Sequence, residues 1–271
     1  MAIPFPNIDP VALNLGPLKI HWYALSYVVS IIFATSYAKF LQSRFPSGLS
    51  KELIERFAYG AAIVGIIIGG RLGHVLFYYD PLYYLHHPLE IFMTWKGGMS
   101  FHGGLAGVLV AAFLFCKSHK ISFFSLMDNI AVAVPIGLGL GRIANFMNAE
   151  LYGNITNAPW GVIFPGAGPL PRHPTQLYEA FLEGFVLLTL LSFLWIKTDM
   201  RYSQGRISGF FLFAYGIMRF MIEFYKDPLA QGSQTIIPLT NGQLLCIPMI
   251  LFGLFLCLKK HSQKVLEKGR P

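Results

Sequence analysis

Charge is what this sequence has least of. Of its 271 residues only 13% are Asp, Glu, Lys or Arg, while 54% are apolar; soluble domains carry about 25% charged residues. The deficit lies in long apolar runs, which excludes an ordinary soluble domain and points to a membrane. Cysteine is scarce as well. Cys116, Cys246 and Cys257 sit in apolar segments without paired spacing, a pattern that argues against a disulfide framework or a zinc site. Apolar surroundings also leave a thiol inert. No repeat of 20–50 residues stands out and no linker is long enough to divide the chain, so 1–271 reads as a single polytopic domain. A cleavable leader is missing from the start: Pro4, Pro6, Pro10 and Pro17 interrupt it, with no basic flank and no continuous apolar stretch. Residues 1–19 therefore read as an extended arm.

The apolar runs predict an all-α membrane protein of about seven helices, each needing about 20 mostly apolar residues. The spans are Ile20–Leu41, Leu53–Tyr79, Leu89–Cys116, Leu126–Phe146, Gln176–Ile196, Ser208–Phe224 and Leu239–Leu258. The third is interrupted by Lys96-Gly97-Gly98, so either a re-entrant piece precedes it or the helix begins near Met99. The segments after the first, third, fifth and seventh spans hold thirteen Lys and Arg, and the opposite side holds Lys19, Arg172 and Lys226. Positive charge collects on the cytoplasmic side, which predicts an outer N-terminus and a basic cytoplasmic tail at 259–271. The net charge of +8 is then accounted for by anionic lipid, without nucleic acid. Residues 147–175, with Pro159, Pro165, Pro169 and Pro171, form an outer loop or cap.

Within or at the outer ends of these helices lie charged and polar groups, and a charged side chain at mid-bilayer costs about 3 kcal/mol. The densest run is Gly139–Glu150, where Arg142, Asn145 and Asn148 follow at helical spacing and Glu150 closes the stretch. On the sixth span Tyr215, Arg219 and Glu223 share one stripe. His102 lies among glycines at the outer end of the third span, a side chain suited to proton transfer near neutral pH. Tyr23 follows His21-Trp22; alone it reads as an interfacial anchor. His173-Pro174-Thr175-Gln176-Leu177-Tyr178-Glu179 enters the fifth span, with Glu183 one turn further. Arg71, whose depth the sequence leaves open, either reaches a ligand or pairs with an acid such as Glu183. Guanidinium forks match phosphate oxygens, so the set suggests a pocket toward the outer leaflet for an anionic phosphorylated headgroup. No metal is implied, because no His, Asp and Glu cluster has ligand spacing. A transporter or flippase for an anionic solute would use the same arginines, but no inverted repeat is evident. A scaffold acting through its basic tail would leave Arg142, His102 and Arg219 without a purpose.

At these motifs the chain resembles the prolipoprotein diacylglyceryl transferases over nearly its whole length. The resemblance rests on His21-Trp22-Tyr23, Gly70-Arg71-Leu72-Gly73, Met99–Gly104, the run from Gly141 through Glu150 to Gly153, His173–Glu179 and Arg219–Pro228. Ala144 and Ala149 stand where many members carry Gly, and Lys226 where Arg is common. The resemblance implies transfer of a diacylglyceryl group from phosphatidylglycerol to the lipobox cysteine of a prolipoprotein, releasing glycerol 1-phosphate, without a cofactor. It implies a multi-pass protein of the bacterial inner membrane, with lipid and signal peptide as partners. Arg142 and Arg219 would then bind the phosphate, and His102 would act as base with Tyr215 assisting. Tyr23, Arg71, Asn145, Asn148, Glu150 and Gly153 would shape the headgroup site, with Glu223 orienting Arg219.

Overall fold

The computed structural model describes residues 2–6, 8–16, 18–78, 81–227 and 239–259. Among the described residues the apolar segments fall on these helices: α1 (Trp22–Arg44), α2 (Lys51–Phe77), α3 (Phe101–His119), α4 (Phe123–Ala131 and Val134–Met147), α5 (Thr175–Lys197), α6 (Arg206–Glu223) and α7 (Asn241–Leu258). Five of them, α1, α2, α3, α5 and α7, are long and apolar enough to cross a membrane, and the two halves of α4 make a sixth if taken as one bent span. Helix α6 carries Arg206, Arg219 and Glu223 in its 18 residues, too many charges to qualify by composition. The chain is an all-α integral membrane protein, and large apolar side chains such as Phe33, Phe113, Phe185 and Leu251 lie exposed on it, as lipid contact requires.

Of the two readings of the third span, the helix starting near Met99 is the one the structure shows. Helix α3 begins only at Phe101, and two short 3₁₀ turns, Pro88–Phe92 and Thr94–Lys96, precede it. Gly97 and Gly98 then take positive φ, 83° and 79°, a conformation that glycine adopts without steric cost. The basic tail beyond Lys259, and Pro228, lie outside the described residues.

The chain separates into two compact units, residues 39–127 and residues 1–38 with 128–271. In the first, α2 and α3 pack backbone to backbone. A Cβ on Gly69 would lie 2.3 Å from the Gly103 carbonyl oxygen, and one on Gly107 would lie 2.1 Å from that of Gly65. Small residues at such spacing permit close helix association where lipid supplies no hydrophobic drive.

In the second unit, α4 bends by 43° between its halves, and Pro135 opens the second half, a position where its missing N–H is no loss. Gly139 of α4 meets Gly184 of α5, and Gly209 and Gly216 of α6 meet α7. Buried Asp128 on α4 caps α6, accepting from the Gly205 and Ser208 N–H groups at 2.6 and 2.8 Å and from the Ser208 hydroxyl at 2.7 Å. Thr240 and Gln243 form a capping box on α7. The connection from α4 to α5 is ordered by backbone pairing: Gly153 bridges to Lys226, and Ile155 and Val162 to Arg172. Strand β1 (Ile3–Pro4) pairs parallel with Val162–Ile163, while β2 (Val11–Leu15) and β3 (Leu18–His21) form an antiparallel pair leading into α1.

Candidate active site

The fourth helix supplies the first part of the site. Arg142 turns its Nε toward Glu179 Oε2 at 3.2 Å and toward Glu183 Oε2 at 3.9 Å. Its Nη1 makes a long contact of 3.5 Å with Asn145 Oδ1. Asn145 donates to Glu150 Oε1 at 2.7 Å, and Asn148 reaches the same oxygen at 3.4 Å. The helical spacing seen in the sequence thus becomes one continuous chain from Arg142 to Glu150. Ala149 and Leu151, on either side of Glu150, take positive φ of 54° and 58°. That double left-handed turn, unfavourable for side chains with a Cβ, folds Glu150 back onto the helix end.

The fifth and sixth helices supply the counter-charges. Glu179, fully buried, is the centre: it contacts Arg142, Arg219 Nη1, and Lys226 Nζ at 2.6 Å. Arg219 also places Nη2 3.1 Å from Glu223 Oε2, one helical turn on. Glu223 accepts the Thr240 hydroxyl at 3.0 Å, so α7 helps to fix it. Glu223 does hold Arg219, as its spacing suggested. Tyr215 hydrogen-bonds Arg142 and lies in the field of Glu183. Three cations and three carboxylates therefore meet in this cluster among the described residues. Charges this buried persist only when paired. Two features permit the assembly: the Gly139–Gly184 contact brings α4 against α5, and a π-helical turn at Ala180–Val186 sets Glu179 and Glu183 toward the same guanidinium.

Glu179 and Lys226 are the residues that sequence reasoning undervalued. Glu179 stood out as an internal charge, yet its three partners lie 37 to 47 positions away in the chain, beyond any local pattern. Lys226 is buried just past the end of α6. Desolvation, ahead of neighbouring Arg219 and Arg142, pulls its pKa below the ordinary lysine range. Tyr27 could have been found from spacing: it is four residues from Tyr23, and their hydroxyls are 2.8 Å apart. Tyr27 also feels Arg142 and Glu150, so the two tyrosines belong beside the cluster.

Gly153 acts through close backbone approach. A Cβ there would lie 2.3 Å from the Tyr225 carbonyl oxygen; its N–H bonds His173 and the next N–H bonds Tyr225. The closure is clamped by Arg172, which pairs with Asp227 at 2.7 Å and donates to the Gly153 carbonyl. Beside it His173 Nδ1 lies 3.1 Å from the Tyr178 hydroxyl, which accepts from Trp160 Nε1 at 2.7 Å. Burial lowers the His173 pKa, favouring the neutral ring, whose Nδ1 can accept the tyrosine proton.

Arg71 and His102 belong to the other unit. Arg71 is buried, and among the described residues it meets neither a carboxylate nor Glu183. Its Nε donates to the Ile91 carbonyl at 2.8 Å, Nη1 to Gly97 and Gly98 at 2.7 and 3.1 Å, and Nη2 to Glu90. It thereby organises the loop before α3, where Ser100 N bonds the Gly70 carbonyl and the Ser100 hydroxyl caps the helix at Gly103. His102 follows in the first turn, exposed, its ring edge-on to Phe101.

These features define a class of protein: a membrane-embedded helical protein with a buried arginine–glutamate site suited to an anionic group. The chain belongs to the prolipoprotein diacylglyceryl transferase family, whose model matches residues 10–259. Two relatives are named phosphatidylglycerol--prolipoprotein diacylglyceryl transferase. The protein from Rickettsia bellii (strain OSU 85-389) is 48% identical over 97% of this chain and 99% of its own length. The one from Rickettsia akari (strain Hartford) is 50% identical over 96% and 99%.

Proposed function

We propose that this protein transfers the diacylglyceryl group of phosphatidylglycerol to the lipobox cysteine of bacterial prolipoproteins, forming a thioether and releasing glycerol 1-phosphate. The observation that carries the reading is the paired Arg142 and Arg219, held from behind by Glu179, in a chain of this family. The reaction is attack by a thiolate on a saturated glyceryl carbon with departure of a phosphate. It needs the departing charge stabilised by preorganised donors, and it takes its nucleophile from the substrate, so the inert cysteines of the enzyme are no obstacle. Arg142 faces the phosphate, because its terminal nitrogens are the least engaged by carboxylates. Arg219, both of whose terminal nitrogens contact glutamates, adds charge and fixes Arg142 through the shared Glu179. Asn145, Asn148 and Glu150, with Tyr23 and Tyr27, recognise the glycerol headgroup. Arg71 organises the loop that presents His102, the sequence's candidate for taking the thiol proton. The site opens toward the outer leaflet of the cytoplasmic membrane, residues 147–175 cover it, and 1–19 form the outer arm of a single polytopic domain.

The test is release of glycerol phosphate from headgroup-labelled phosphatidylglycerol by the purified protein. Release that requires a peptide with the lipobox cysteine, and stops when that cysteine is replaced by serine, is the expected result. Release without peptide would mean hydrolysis of the phospholipase C type, and no release would remove the transferase reading.

A further inference from the structure

The transfer requires a destination for the thiol proton, and one carboxylate in the cluster lacks hydrogen bonds. Glu183 is fully buried, and neither of its oxygens accepts a hydrogen bond from any described residue. Its closest ion-pair contact is Arg142 Nε at 3.9 Å. The other two glutamates are better held. Glu179 contacts three cations, and Glu223 receives Thr240 and faces Arg219. Buried polar groups are ordinarily satisfied, and an exception beside a functional arginine calls for an explanation. Glu183 also lies in a π-helical turn, Ala180–Val186, one of two such turns among the described residues, the other being Phe57–Ala62; such turns are frequent at functional sites.

Around Glu183 are Arg142 from α4, at 3.9 Å, and Glu179 one turn earlier on its own helix; Tyr215 and Glu223 from α6, Lys226 beyond it and Cys246 from α7 share its electrostatic field. Tyr215 alone among them is a neutral hydroxyl on a half-buried side chain. A phenol oxygen that accepts from a guanidinium still has its own proton to donate. We infer that Glu183 is the acceptor of the substrate thiol's proton, with the Tyr215 hydroxyl, held by Arg142 in this structure, turning to the carboxylate to pass that proton on. This deepens, and rests on, the diacylglyceryl transfer reading, and it assigns to Glu183 the role for which the sequence offered His102.

The thiol proton passes to the Tyr215 oxygen as the tyrosine's own proton passes to Glu183. The sulfur electron pair forms the C–S bond, the C–O bond to phosphate breaks, and its electrons stay on the phosphate oxygen beside Arg142. Glu183 ends protonated and returns that proton to the departing glycerol phosphate. Order is built in: a phosphate on Arg142 offsets the cation nearest Glu183, and two anions so close favour uptake of a proton by one of them.

The experiment compares a lipobox peptide carrying cysteine with the same peptide carrying selenocysteine, whose selenol is ionised at neutral pH and needs no base. Glu183→Gln keeps the shape and the hydrogen-bonding capacity toward Arg142. With the cysteine peptide it should lose about 100-fold in turnover, the scale of general-base catalysis, and with the selenocysteine peptide it should return to near the wild-type rate. Tyr215→Phe should follow the same pattern, and Glu183→Asp should retain partial turnover of the cysteine peptide. Equal loss with both peptides in folded protein would make Glu183 a mere counter-ion and overturn the inference. So would selenocysteine rescue of His102→Gln but not of Glu183→Gln, or an undiminished Glu183→Gln rate with cysteine. Failure of the wild-type protein to modify either peptide would instead overturn the transferase reading itself.

Discussion

Ala149, at the turn that folds Glu150 back onto the end of α4, has a φ of 54°; this carries a left-handed penalty that glycine escapes, at the cost of more backbone freedom in the unfolded chain. Ala149→Gly should therefore stabilise the protein by about 0.5 kcal/mol net, seen as a small rise in thermal midpoint in detergent. A fall would mean that the turn is not strained as described. Arg142, Asn145, Asn148 and Glu150 were legible because helical spacing puts the first three on one face, and the structure joins all four. Glu223 beside Arg219 was legible for the same reason. Arg71 was not: four backbone carbonyls from a loop some 20 residues away satisfy it, and main-chain acceptors leave no mark in a sequence.

Elements were legible where hydropathy alone decides and obscure where packing does. Helices could be marked from apolar runs, and the interruption at Lys96-Gly97-Gly98 left the start of α3 open; Ser100 as cap and Gly97-Gly98 turning ahead of it set that start at Phe101. The π-helical turn in α5 has no sequence signature at all. The α2–α3 contact predicts the cost of a single methyl. A Cβ on Gly103 would lie 2.3 Å from the Gly69 carbonyl oxygen, so Gly103→Ala must push two backbones apart, destabilising by about 1–3 kcal/mol. Gly60→Ala, with nothing within 4 Å of its Cβ, is the control that should leave the melting temperature nearly unchanged. Asp128 predicts a second loss. Replacing it by Ala strands the Gly205 and Ser208 N–H groups at the start of α6, costing about 3 kcal/mol in chemical denaturation. A loss under 1 kcal/mol would show that the cap is dispensable.

For the whole molecule, the distribution of Lys and Arg carries the topological claim. An outer cap and a cytoplasmic end of α5 require that Asn157→Cys be labelled in intact cells by a membrane-impermeant thiol reagent, and that Lys197→Cys be labelled only after permeabilisation. Both positions are exposed; the reverse pattern would invert the protein and set its site toward the cytoplasm. The whole-molecule reading also explains why an acid such as Glu179 can sit at 0% exposure in a chain so poor in charge: three cations drawn from α4, α6 and the segment after α6 compensate it. Their convergence is a property of the fold, written in glycine contacts between helices, and no single stretch of sequence states it.

The central claim is that this arginine–glutamate cluster serves diacylglyceryl transfer. The most direct measurement is mass spectrometry of a single-cysteine lipobox peptide after incubation with phosphatidylglycerol and purified wild-type or Arg142→Ala protein. A diacylglyceryl mass gain on the cysteine with wild type, reduced at least about 100-fold by Arg142→Ala in folded protein, is the predicted result. An unmodified peptide from folded wild type, or full modification by Arg142→Ala, would contradict the account.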